Sequence, residues 1–131
     1  MAGRRHIFTG SEYEELAGYA RAVVVGDRIF VSGTVGYDFK TGVLPETAEG
    51  QTDRALDTIA WSLDQADSGL ADIVRVRVYV PDPNDVIEVS KTLKRRLKET
   101  YPANTTICAP LAVPECKVEI EAEAIRGSAI G

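Results

Sequence analysis

Residues 101–121 read YPANTTICAPLAVPECKVEIE. The run divides into two strands joined by a loop that carries Pro110 and Pro114. Asn104 lies near the start of the first strand and Glu119 lies in the second, polar groups of the kind that face a small-molecule cleft. The second strand is predicted over Lys117 to Ile125. It sets Val118, Ile120, Ala122 and Ala124 on one face and Lys117, Glu119, Glu121 and Glu123 on the other. Three carboxylates on one strand face repel each other unless cations stand nearby. Arg75 and Arg77 alternate in the same way on another strand and are the expected cross-strand partners, each pair contributing at most about 1 kcal/mol.

Working back along the chain, Ile73 to Val80 alternates, with Val74, Val76, Val78 and Val80 on one face and Ile73, Arg75, Arg77 and Tyr79 on the other. A helix is expected after Pro45, where Ala48, Ala55, Leu56, Ile59, Ala60, Leu63 and Ala66 recur at three- and four-residue spacing, with Gly69 as its stop. Trp61 falls off the centre of that stripe, as a flank of the core or an interface residue does. A second helix is expected with Asp82 as N-cap, Pro83 as first helical residue and Val86, Val89, Leu93 and Leu97 as its buried stripe. Lys91, Lys94, Arg95, Arg96 and Lys98 crowd its latter half, either as a solvated face that complements the helix dipole or as an anion or RNA patch. Near the start, VVV, Gly26-Asp27 and RIFVS read as a hairpin with a II′ turn, and Ser32-Gly33 as the end of its second strand.

The predicted order is β-β-α-β-α-β-β, with an extra N-terminal strand near His6–Phe8. Both helices cover one face of one mixed sheet, an α+β arrangement. The other face carries Arg75, Arg77, Tyr79, Glu119, Glu121 and Glu123, too charged for a dry core yet partly apolar. Such mixtures mark subunit interfaces, so a homo-oligomer is expected.

At 131 residues the chain is expected to form one domain, 1–131, with enough length for one core. A net charge of −5 argues against a polyanion partner, so nucleic acid is not expected. No run of eighteen apolar residues is present, and MAGRRHIFTG lacks the apolar segment of a secretory signal, so the expected location is the cytoplasm. Cys108 and Cys116 read as reduced thiols, and with the single His6 they form no metal-binding spacing.

These residues resemble the Rid family, the reactive intermediate deaminases also labelled YjgF-like or L-PSP endoribonuclease-like. The likeness runs from about Leu16 to Arg126 and rests on GYARAV at Gly18, FVSGTVG at Phe30, ADIVRVRVYVPDPND at Ala71, and YPAN with VPECKVEIEAEAIR. It implies a chorismate-mutase-like fold of the bacillus type, with two helices on one face of a six-stranded sheet. It also implies a homotrimer with three clefts between subunits. Active members hydrolyse imines and enamines without a cofactor, releasing ammonia and an oxo acid. By the resemblance Tyr19 is the pocket tyrosine, Ser32 and Gly33 are the Ser-Gly turn, and Glu119 orients the attacking water. Thr106 stands where active members usually carry cysteine.

The departure is Asn104. The family's deaminases carry an arginine there that grips the substrate carboxylate, and Ser90 replaces a common asparagine in the second helix. Arginine offers a cationic fork that asparagine lacks. The expected function is therefore hydrolysis of an imine, enamine or related amino-type molecule other than the usual 2-imino acid. Glu119, Tyr19 and Thr106 are the candidate catalytic residues, and Ser32, Gly33, Asn104, Arg21 and Ser90 the candidate binding residues. Arg21, two residues past Tyr19, is either the replacement cation or part of a surface or interface salt bridge. A non-catalytic small-molecule-binding trimer is the alternative. Ribonuclease activity has the least support, because no histidine pair, metal cluster or basic aromatic groove is present.

Overall fold

Gly26 takes the left-handed conformation (φ 59°), and Val25 and Arg28 pair across it. The tight turn joins β2 (Ala22–Val25) to β3 (Arg28–Val35), as the hairpin reading anticipates. The computed structural model describes residues 3–130. The remaining strands are β1 (Arg4–Ile7), β4 (Ile73–Tyr79), β5 (Ala103–Ile107) and β6 (Glu119–Ile125). They form one six-stranded sheet in the order β1-β2-β3-β6-β4-β5. Only β4 and β5 run parallel, because α3 (Val86–Leu97) carries the chain between them; every other pair is antiparallel.

The long helix α2 (Ala48–Asp64) begins where Thr47 caps it, its hydroxyl accepting from the Gly50 amide at 3.0 Å. Leu56, Ile59 and Leu63 of α2 and Val89, Leu93 and Leu97 of α3 are buried with Val76, Val78, Ile120 and Ala122 of the sheet. The core is thus the layer between two helices and one sheet face. Trp61 packs at its flank, with its ring 4.8 Å from that of Phe39. Arg95 and Arg96 bond Asp53 on α2, and Arg96 also bonds Asp57, so two of the five crowded cations tie the helices together.

Three local expectations need correction, and one element was not anticipated. First, α2 ends at Asp64; Asp67 takes the left-handed turn (φ 57°), and Gly69 is extended. A short acid tolerates that conformation nearly as glycine does. Second, Ile73 is buried and Val74 exposed, the reverse of the strict alternation. Between Ile73↔Ala124 and Arg75↔Glu123, β4 advances two residues while β6 advances one, so Val74 is a β-bulge residue. Third, β3 does not end at Ser32-Gly33 but continues to Val35. The unanticipated element is a further helix, α1 (Glu12–Ala17), which precedes β2. Ser11 caps it by accepting from the Glu14 amide, and Gly18 closes it in the left-handed conformation (φ 70°). No described helix is long and apolar enough to cross a membrane.

The face of the sheet away from α2 and α3 is open. Arg77 lies opposite Glu121 and reaches both Glu121 (3.7 Å) and Glu123 (3.5 Å), the cross-strand pairing expected of it, whereas Arg75, opposite Glu123, makes no ion pair among the described residues. Phe30 shares this face, stacked under the Arg28 guanidinium.

Candidate functional site

Glu119 begins β6 on the open face, opposite Val35 of β3 and Tyr79 of β4. From Val31↔Ala122 to Thr34↔Ile120, β3 advances three residues while β6 advances two. The extra residue makes a bulge at Ser32-Gly33, and the reason for glycine is visible. A Cβ on Gly33 would stand 2.5 Å from Glu119 Oε2. The bulge and the missing side chain together let the carboxylate lie against the β3 backbone.

Arg77 of the strand ladder serves Glu121 and Glu123, leaving Glu119 without a direct ion pair among the described residues. Burial raises the Glu119 carboxyl above the ordinary carboxylate range; Arg21 opposes this and Glu121 adds to it. The result is an acid poised closer to neutrality, the property a proton-transfer group needs. Tyr79, its neighbour across the ladder, donates its hydroxyl to Glu121, and that bond first, then burial, raises the phenol. Cys116 lies close by. Burial, followed by Glu115 and Glu119, pushes its thiol up to about 11, so it stays protonated and is no nucleophile at neutral pH. Both cysteines are free thiols, with Cys108 exposed. Among the described residues no group of three or more His, Cys, Asp or Glu is placed to hold a metal.

Arg21 is neither an exposed cation nor a surface salt bridge. It is 7% exposed, and its Nε donates to Glu14 Oε2 at 3.3 Å. Nη1 donates to the Gly33 carbonyl (2.7 Å) and Thr34 Oγ1 (2.9 Å), and Nη2 to Tyr19 Oη (3.3 Å). The guanidinium also lies 5.5 Å from the centre of the Tyr19 ring. Ser32 spends its hydroxyl on the Ala20 carbonyl at 2.7 Å, fixing the backbone beside Tyr19. Tyr19, Arg21, Ser32, Gly33 and Glu119 are therefore one cluster. Glu14 and Thr34 belong to it and were not among the sequence candidates. The signal for Glu14 was present: Ser11 and Glu14 have the spacing of a capping box. In the fold its carboxylate instead accepts from Thr9 and from the Thr9 and Gly10 amides.

Asn104, Thr106 and Ser90 lie elsewhere in the chain. Asn104 and Thr106 pair with Val76 and Val78, whose side chains enter the helix layer, so they share that side of the edge strand β5. Thr106 Oγ1 donates to Asn104 Oδ1 at 2.9 Å. Ser90 is exposed on α3. One chain thus keeps two sets of candidate residues on opposite faces of the sheet, with β4 between their strands. A cavity of about 750 Å³ between Leu70–Val74 and the Lys98–Pro102 turn touches neither set.

The sequence profile of the family described as endoribonuclease L-PSP matches residues 9–126. The 2-iminobutanoate/2-iminopropanoate deaminase of Escherichia coli is 32% identical over 111 residues, covering 82% of this chain and 87% of its own. The RutC family protein UK114 of Drosophila melanogaster is 31% identical over 126 residues, 95% of this chain and 91% of that protein. A crystal structure of a YjgF/YER057c/UK114 family member from Mycobacterium tuberculosis superposes with a TM-score of 0.85 at 35% identity, covering 94% of this chain and 99% of that one. Together with the six-stranded sheet and its two covering helices, these matches show that the chain belongs to the endoribonuclease L-PSP family, the Rid or YjgF/UK114 proteins.

Proposed function

We propose that the protein is a Rid-type hydrolase acting on an imine, enamine or related amino-type small molecule, in clefts between the copies of a homotrimer. The observation that carries this reading is the Glu119 carboxyl, held against the Gly33 backbone, without a direct ion pair among the described residues and raised toward neutrality by burial. Such a group can take a proton from water and return it within one turnover. Water adds to the C=N carbon as Glu119 accepts its proton. That proton passes to nitrogen and gives a carbinolamine. Glu119 then takes the carbinolamine hydroxyl proton and delivers it to nitrogen, the C=O bond forms as the C–N bond breaks, and one imine plus one water give one carbonyl compound and one ammonia. The reaction requires no cofactor. The separation of the two residue sets supports a shared cleft, since the open face of one copy and the β5 edge of the next would together present both.

Asn104 shapes the substrate. Its Oδ1 is engaged by Thr106, which leaves its amide to donate to a neutral acceptor. A hydrogen bond to a charged group contributes about 1.5–3 kcal/mol. Lacking one such bond from an arginine weakens a carboxylate substrate about 10- to 150-fold.

Ammonia release tests the reading, with imines supplied by an amino-acid oxidase (2-imino acids) and by an amine oxidase (no carboxylate). The wild-type protein is expected to accelerate release from the second source more than from the first. Glu119→Ala is expected to lower the rate about 10²- to 10⁴-fold, and Asn104→Arg to move preference toward 2-imino acids. No acceleration by any of the three proteins contradicts the hydrolase and favours a non-catalytic small-molecule-binding trimer.

A further inference from the structure

We propose that Arg21 is the positioning residue of this site: it locks the Gly33 carbonyl beside Glu119, holds the Tyr19 hydroxyl, and supplies the buried positive charge nearest that carboxylate. The proposal rests on the hydrolase reading only where activity is the readout. Among the described residues Arg21 is the one buried basic side chain, and its guanidinium is spent on fixed protein acceptors. A carboxylate-gripping arginine presents its fork to the ligand. This one is bonded to Glu14 on one side and to the β3 bulge on the other.

The geometry assigns it a different task. Arg21 and Glu119 meet at Gly33, one bonding its carbonyl and the other lying where its side chain would be. The bulge is the least regular point of β3, where the ladder with β6 is interrupted. Three bonds from Arg21, to Gly33, Thr34 and Tyr19, fix it there. Glu14 makes the buried cation tolerable, and burial of that carboxyl is outweighed by its bonds to Thr9, the Arg21 charge and the Gly10 amide, which hold it low and ionised.

Glu119 is faced by Arg21, by Tyr79 and Arg77 of β4, by Glu121 on its own strand and by Cys116 ahead of it. Arg77 is held by Glu121 and Glu123, and Tyr79 and Cys116 are neutral near pH 7. Arg21 is therefore the group whose charge keeps Glu119 from rising further, and its loss moves the acid limb of the pH profile upward.

The test is the titration of Glu119 by carbon NMR of the labelled carboxyl, assigned with Glu119→Gln, together with the pH dependence of kcat/KM. Arg21→Gln is expected to move the Glu119 midpoint to higher pH and to lower kcat/KM about tenfold or more on the acid side. Arg21→Lys is expected to restore the midpoint, since it keeps the charge, while kcat stays low because the forked contacts to Gly33 and Thr34 are gone. Should Arg21→Gln fail to fold with Glu14 left unpaired, Glu14→Gln/Arg21→Gln removes both buried charges and gives the same readout. A Glu119 midpoint unchanged in folded Arg21→Gln or in the double variant overturns the proposal. A shifted midpoint in a protein without imine hydrolase activity supports Arg21's role and defeats the hydrolase reading instead.

Discussion

Two glutamates on this chain titrate in opposite directions, and the difference is one of company. Glu14 is buried, yet its several donors hold it below the ordinary carboxylate range. Glu119 has no such partners, and burial holds it above. For an acid raised in the folded state, folding takes up a proton between the unfolded and folded values, so stability falls as pH rises through that window. Glu119→Gln is therefore expected to be more stable than wild type at neutral pH, with the difference vanishing as pH falls below the ordinary carboxyl value. Thermal unfolding from pH 4 to 8 measures it. Gly33 belongs to the same argument. Gly33→Ala places a methyl group on the Glu119 carboxylate, which can swing aside. Activity is expected to fall about tenfold or more, while denaturant titration shows a change of only about 1 kcal/mol or less. The resemblance to a family pointed to Glu119, Tyr19 and Gly33 in the sequence. That Arg21 is buried was not, because its partner Glu14 sits on a helix too short to show periodicity.

At the scale of elements, the sequence marked five strands and both long helices by period and caps, and it marked the sixth strand more loosely. What it hid were irregularities that repeat no pattern. The bulge at Val74 inverts the burial of Ile73 and Val74, and the bulge at Ser32-Gly33 carries β3 on past an apparent terminus. Each depends on register with β6, a partner far away in sequence. The exit of α3 is another case. Lys98 takes φ 51°, ψ −126°, and Tyr101 is left-handed at φ 47°, so the chain turns sharply into β5 without glycine. Lys98→Gly removes the Cβ from a region nearly reserved for glycine. Set against the extra freedom glycine gives the unfolded chain, a net gain of about 1 kcal/mol is expected by denaturant titration.

For the whole molecule, the open sheet face carries the most consequence. One face is sealed by α2 and α3, while the other holds Arg77, Glu121, Glu123, Tyr79 and an exposed Phe30. The mixture was readable from alternation alone, and so was the expectation that copies of the chain meet there. The proposed sharing of a site between copies is not readable from spacing, since Asn104 and Glu119 sit in adjacent strands of the sequence yet on opposite faces of the sheet. The central claim is that Glu119 of one copy works opposite the β5 edge of another. Subunit mixing measures this directly. Glu119→Ala and Asn104→Trp chains are each expected to be inactive alone. Unfolded together in equal amounts and refolded, they are expected to recover about a quarter of wild-type activity, because chance assembly gives about one intact cleft in four. No recovery from mixed trimers of the right mass would contradict the account.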